Sequence, residues 1–145
     1  MVIYMNKRLL SLLLASVLSV TLITGASASS IQPHASDYLA KYTLAVVPGS
    51  NTGEVILAYS VVGTGSSTTV GVKKIEVYRS NGSYVTSITG TTSNGLLRSS
   101  STYNSGTYIY KGVSGTSYYM VVTVYASNSS GSDSRVITTN TAKAP

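Results

Sequence analysis

The chain of 145 residues has no cysteine, tryptophan or phenylalanine, one histidine, and only four Asp and Glu residues. Each gap removes a class of chemistry. Without thiols there is no disulfide framework, no thiolate nucleophile and no thiolate metal ligand. One imidazole and four acids leave almost nothing from which to build a metal cage or a nucleophile, base and orienting acid held in contact. The acids, Asp37, Glu54, Glu76 and Asp133, stand far apart along the chain, and nothing in their spacing suggests a glycosidase-type carboxylate pair. His34 lies in Ile31-Gln32-Pro33-His34, ahead of the first expected strand, and reads as an N-terminal residue rather than a general base, which needs a partner held within hydrogen-bond reach. No G-x-S-x-G elbow and no D-x-[DN]-x-[DN]-G loop is present, so an activated serine and a dedicated calcium loop are not expected either. The residues predict a protein that is not an enzyme and uses no cofactor or metal.

What is present begins with a leader. Lys7-Arg8 precedes a nearly continuous apolar run over 9–24, which ends in Gly25-Ala26-Ser27-Ala28. A basic segment, an apolar segment and small residues in an A-x-A arrangement are the parts of a secretory signal peptide. Cleavage is expected after Ala28, with Met5 as an alternative start to Met1, and a retained anchor as the other reading of a run near the lower limit for spanning a bilayer. No cysteine follows to carry a lipid. The expected product is secreted, extracellular or loosely associated with a cell wall, with no stable membrane anchor. Losing Lys7 and Arg8 lowers the formal charge from +6 to +4. The remaining basic residues are scattered, whereas a nucleic-acid partner calls for clustered charge beside stacking aromatics.

After the leader, residues 29–41 are expected to be partly disordered, 42–139 to form one domain, and 140–145 to be a tail. Ser and Thr make up about a third of this part, but β-branched and aromatic runs interrupt them at regular intervals, the sign of strands. Seven strands are predicted, over 42–47, 54–62, 72–79, 84–88, 107–110, 118–126 and 134–139. The second has apolar residues on both parities and reads as a central strand. The third alternates Ile75 and Val77 with Lys74, Glu76 and Tyr78, so one of its faces is wet. Ser80-Asn81-Gly82-Ser83 predicts a hairpin with a type I′ turn. With no helical period between the strands, the fold expected is all-β, an antiparallel sandwich.

Val122-x-Val124-x-Ala126-x-Asn128-x-x-Gly131-x-Asp133-Ser134, the turn Gly115-Thr116-Ser117-Tyr118 and Ile75-Glu76-Val77-Tyr78-Arg79-Ser80 together resemble fibronectin type III domains over about 42–139. The resemblance implies a seven-stranded, immunoglobulin-like sandwich and no catalytic residue. It places Tyr59 where that family has a core tryptophan, and the register set by Val122 and Val124 puts Met120, in place of Tyr118, at the position of the family's corner tyrosine. The leader, the single β-domain and the Gly131-Ser132-Asp133-Ser134-Arg135 segment are also similar to small secreted proteins of Clostridia-type, Gram-positive bacteria.

Two places are candidates for binding. Tyr108 and Tyr110 share one strand face, as do Tyr119 and Tyr125 on another strand, and phenol rings combine a flat apolar body with a polar tip that can stack on sugar or peptide; equally, they can fill a core that has no Phe or Trp. The loops over 63–71, 90–106 and 127–132 should meet at one pole of the sandwich, with Leu96, Leu97 and Arg98 as distinctive groups. The function expected is a secreted binding or adhesion module for an extracellular or cell-envelope protein or glycan. The alternative is a structural protein that associates with itself through sheet edges.

Overall fold

The computed structural model describes residues 36–65 and 67–145; the leader, its cleavage site and His34 lie outside them. The described chain is all strand and turn. In order it runs β1 Leu39–Pro48, β2 Glu54–Gly63, β3 Thr69–Arg79, β4 Tyr84–Thr89, β5 Leu97–Ser99, β6 Tyr103–Lys111, β7 Ser117–Asn128, β8 Gly131–Thr138 and β9 Ala142–Lys143. The seven expected strands are all present, most of them longer than expected, and β5 and β9 are additional. One sheet has the order β1-β2-β6; the other runs β4-β3-β7-β8, with β5 on β3 and β9 on β7. Every pairing is antiparallel.

Alternation along the strands makes the core between the sheets. Leu44 and Val46 of β1 lie beside Val55, Leu57, Tyr59 and Val61 of β2 on one sheet's inner face, and across from them lie Val70, Val72, Ile75 and Val77 of β3 and Met120, Val122 and Val124 of β7, all buried. β2 is central, as its double apolar parity predicts, and β3 is the central strand whose other face is wet. Tyr59 is buried and donates its hydroxyl to Gly95 O at 3.0 Å, which gives the polar tip of this core ring a partner.

The start of β7 is fixed by Tyr118. Its ring is 1% exposed and its oxygen accepts the Val113 N–H at 2.9 Å. A Tyr near the start of a strand bonded to backbone just upstream has the geometry of a tyrosine corner; Met120, where the resemblance sets that role, is buried and apolar. Gly112 makes room for Tyr118: a Cβ there would lie 2.7 Å from the Tyr118 ring.

The hairpin between β3 and β4 is real, but its turn is not type I′. Gly82 N–H bonds Arg79 O at 2.9 Å, Arg79 N–H bonds Ser83 O at 2.9 Å, and Gly82 has φ +86° while Asn81 does not adopt a positive angle. That is a three-residue loop with glycine in the left-handed position. The Asn81 side chain explains the choice, since its oxygen takes the Ser83 N–H.

The segment expected to be a tail is part of the fold. Ala142 and Ala144 are buried, Ala144 N–H bonds Thr116 O, and Gly53 N–H bonds Pro145 O. At the other end β1 begins at Leu39, ahead of the expected 42, and Leu39 is buried.

Candidate functional site

The loop that carries Leu96, Leu97 and Arg98 is not an open contact surface. Leu96 is 1% exposed and plugs the core, and its carbonyl accepts both the Val72 N–H at 2.7 Å and the Asn104 amide at 2.9 Å. Gly71 permits this approach: its φ is +145° and a Cβ would collide with Leu96 O. Leu97 and Arg98 belong to β5, opposite Gly71 and Val70. Leu97 is half-buried and Arg98 exposed, so Arg98 alone of the three is free to meet a ligand.

The two tyrosine pairs separate. Tyr108 and Tyr110 share a face, as expected, but it is the inner one. They lie opposite Leu57 and Val55, both 0% exposed, and cross-strand partners point the same way. Tyr110 meets Tyr118 edge to face at 5.3 Å, and burial raises the pKa of both Tyr108 and Tyr110. Together with the buried Tyr42, Tyr59 and Tyr118, these two half-buried rings supply the aromatic packing of the core that Phe and Trp supply elsewhere.

Tyr119 and Tyr125 point outward, on the exposed face of the larger sheet, and sequence reasoning missed two further rings beside them. Tyr78 lies opposite both Tyr84 on β4 and Tyr119 on β7. It stacks on Tyr119 at 5.3 Å with 9° between planes and meets Tyr84 edge to face at 5.6 Å. Tyr84 is 54% exposed. The signal for the first pair was available, because Tyr78 and Tyr84 sit symmetrically about Asn81 in the hairpin. Tyr119 could be joined to them only by the long-range pairing of β3 with β7.

A bulge in β3 completes this face. Val72 pairs with Val124 and Lys74 with Thr123, which leaves Lys73 as the extra residue, so two consecutive lysines are exposed where strict alternation would bury one. Lys73 Nζ sits 4.7 Å above the Tyr125 ring, within range of a cation–π contact. Hydrogen bonding to Ser127, then to Ser132, and the Lys73 charge lower the Tyr125 pKa against the opposing effect of burial. Lys74 Nζ bonds Glu76 at 2.6 Å. A depression of about 310 Å³ lies here, lined by Lys73, Lys74, Thr89, Thr123 and Ser134. Tyr119 and Tyr125 are six residues apart on one strand, roughly 20 Å, so the tyrosine trio and the Lys73–Tyr125 pair bracket a strip of ammonium, hydroxyl and ring.

Elsewhere the titratable groups serve the fold. Glu54 is buried, accepts the Asn51 amide at 2.9 Å and lies 4.0 Å from Lys111. Asp133 accepts the Tyr38 N–H at 3.2 Å, and its pKa is lowered chiefly by a hydrogen bond from Ser36. No group of three His, Cys, Asp or Glu residues able to hold a metal occurs among the described residues.

No family model and no curated protein matches the chain. Among solved structures it is similar to a family 76 glycoside hydrolase from a bovine Bacteroides thetaiotaomicron strain, at 17% identity and a TM-score of 0.40, over 72% of this chain and 20% of that one. The chain thus spans about a fifth of that enzyme, and a likeness this distant bears on neither mechanism nor ligand.

Proposed function

We propose that the protein is an exported, non-catalytic binding module whose ligand is a glycan of the extracellular space or cell envelope, held on the outer face of the β4-β3-β7-β8 sheet. The observation that carries this reading is the cluster of Tyr78, Tyr84 and Tyr119 on a solvent-facing sheet, with a depression edged by Lys73 and Lys74 further along the same strands. The core has its own tyrosines, so these rings are not needed there. Phenol rings offer apolar contact to sugar faces, while phenol hydroxyls, ammonium groups and the Thr89, Thr123 and Ser134 hydroxyls offer hydrogen bonds to a polyhydroxylated surface. The depression is lined by ammonium and hydroxyl groups, and the apolar contact comes from the rings on the same face.

The strand order β1-β2-β6 and β4-β3-β7-β8 and the Tyr118 corner bond support a fibronectin type III-like module as the scaffold. The basic, apolar and A-x-A segments of residues 1–28 support export. The thin inventory of acids and imidazole supports a role without catalysis.

The test is retention on insoluble cell-wall fractions and on soluble glycans. Tyr84→Ala and Tyr119→Ala should each weaken binding about 10-fold, a loss of roughly 1.4 kcal/mol, with an unchanged melting temperature. Arg98→Ala should bind as wild type. Binding lost in Arg98→Ala and kept in both tyrosine variants would move the site to the loop pole.

A further inference from the structure

A sandwich has open sheet edges, and folded proteins blunt them with charge, proline, bulges, short strands or covering groups. Three of the four edges here are blunted. β1 has a register shift between Leu39 and Lys41 and ends at Pro48. Midway, the Asn140 side chain accepts the Val46 N–H at 2.9 Å and donates to Val46 O at 2.6 Å, so an amide takes the place of the next strand. β4 has six residues and a shifted register beside Tyr78. β8 places Asp133 and Arg135 on its inward parity, opposite buried Ala126 and Val124, and the Arg135 guanidinium binds the Ser134 carbonyl.

Between its two end residues β6 has none of these devices. It runs nine residues, Tyr103–Lys111, against β2 with no register shift, no proline and no charge before Lys111. Hydrogen-bonding direction alternates along it. Gly112 N–H bonds Gly53 O and Gly63 N–H bonds Thr102 O, so the even-numbered residues bond β2 and the odd-numbered ones turn their N–H and C=O outward. Tyr103 is satisfied by the Ser101 hydroxyl, which donates to its carbonyl and accepts its N–H. Ser105, Thr107 and Ile109 follow with exposed side chains and no backbone partner among the described residues.

We infer that β6 is a pairing edge for a second copy of this chain, joined antiparallel with Thr107 on the two-fold axis. That register sets Thr107 opposite Thr107 and Ser105 opposite Ile109, which closes roughly six N–H···O bonds by the antiparallel pattern. It sets Lys111 opposite the other copy's Tyr103, a ring 45% exposed, and keeps the two Lys111 charges roughly 27 Å apart. It also sets Gly106 opposite Tyr108, so the half-buried ring at the sandwich margin meets a residue with no side chain to obstruct it. A ladder this short lies at or below the low end of roughly 1,200–2,000 Å² for stable complexes, so the pairing is reversible and concentration-dependent.

The experiment is sedimentation equilibrium with site-directed cross-linking. The protein should pass from monomer to dimer between about 10 µM and 1 mM, the range of a weak interface. Thr107→Pro removes an N–H that bonds nothing among the described residues, and Ile109→Lys adds an edge charge; each should weaken association at least 10-fold with an unchanged circular dichroism spectrum. Because the chain has no cysteine, Thr107→Cys introduces a sole thiol and should oxidise to a disulfide-linked dimer far faster than Val136→Cys, whose position is exposed on β8. A mixture of Tyr103→Cys and Lys111→Cys should cross-link where neither does alone. A monomer at every concentration, or Thr107→Cys and Val136→Cys oxidising at equal rates, overturns the inference. If Thr107→Pro fails to fold, Ile109→Lys and the cross-linking pairs decide it.

Discussion

Leu96 shows how much one residue can change the reading of a loop. In a polar stretch over 90–106, two adjacent leucines and an arginine look like contact groups. The structure instead uses Leu96 as a plug between the sheets, with Gly71 cleared of side chain so that the Leu96 carbonyl can reach the Val72 N–H. Leu96→Ala should therefore cost about 2–5 kcal/mol, the range for emptying a buried leucine site, as read by denaturant melts; a loss below about 0.5 kcal/mol, the scale of ordinary surface changes, would return Leu96 to the surface. Tyr118→Phe isolates a smaller effect. It keeps the ring and removes the acceptor for the Val113 N–H, so about 1–2 kcal/mol is expected. Asp133 makes a prediction about pH. Its folded pKa lies below the usual 3.8, first through the Ser36 hydrogen bond and also through the Tyr38 N–H and Arg135. A depressed carboxylate stabilises the fold above its unfolded pKa and loses that contribution as pH falls through the folded value. The tether of Tyr38 to β8 should thus hold through the ordinary range of an aspartate and release only below it. An NMR titration of the Asp133 carboxyl with a midpoint at or above 3.8 would contradict this.

At the scale of the element, the strands were legible because their cause is local. β-branched residues and alternation mark β2, β3 and β7 wherever they pack, and Asn81-Gly82 marks the hairpin. What the sequence does not reveal depends on partners distant along the chain. β9 is two residues long and has no periodicity to detect; it is a strand because Ser117 and Tyr118 lie beside it. The parity of Tyr108 and Tyr110 is readable, but whether that parity faces inward depends on Val55 and Leu57 across the ladder. The four rings of the candidate site are gathered from β3, β4 and β7: the hairpin signals the Tyr78–Tyr84 pair and alternation the Tyr119–Tyr125 pair, but nothing local joins one pair to the other. The bulge that exposes both Lys73 and Lys74 has no local signal. Asn140 likewise looks like a tail residue until its amide is seen against Val46. Asn140→Ala should lower stability by about 1–2 kcal/mol through two lost backbone contacts and leave the β1 edge open, detectable as faster amide exchange at Val46; exchange there unchanged from wild type would show that the cap does nothing.

At the scale of the molecule, the proposed ligand face and the proposed pairing edge lie on different sheets, so they can act together without sharing a residue. Two copies joined at β6 would carry two tyrosine faces, and a polymer with repeated sugars would engage both. The second contact is then intramolecular, and gains of about 10²–10⁴ in apparent affinity come from such linkage when the geometry allows both to engage. A short oligosaccharide that fills one face gains nothing. Thr107→Pro should consequently leave the affinity for a short soluble glycan unchanged while lowering retention on an insoluble polymer by at least 10-fold at protein concentrations where wild type is dimeric. Tyr119→Ala should lower both. The two variants thus separate contact from avidity. If Thr107→Pro weakens both ligands equally, the edge and the face are a single site and the division of labour between the sheets is wrong. If it weakens neither in a protein shown to dimerise, the two faces point where one polymer cannot reach both.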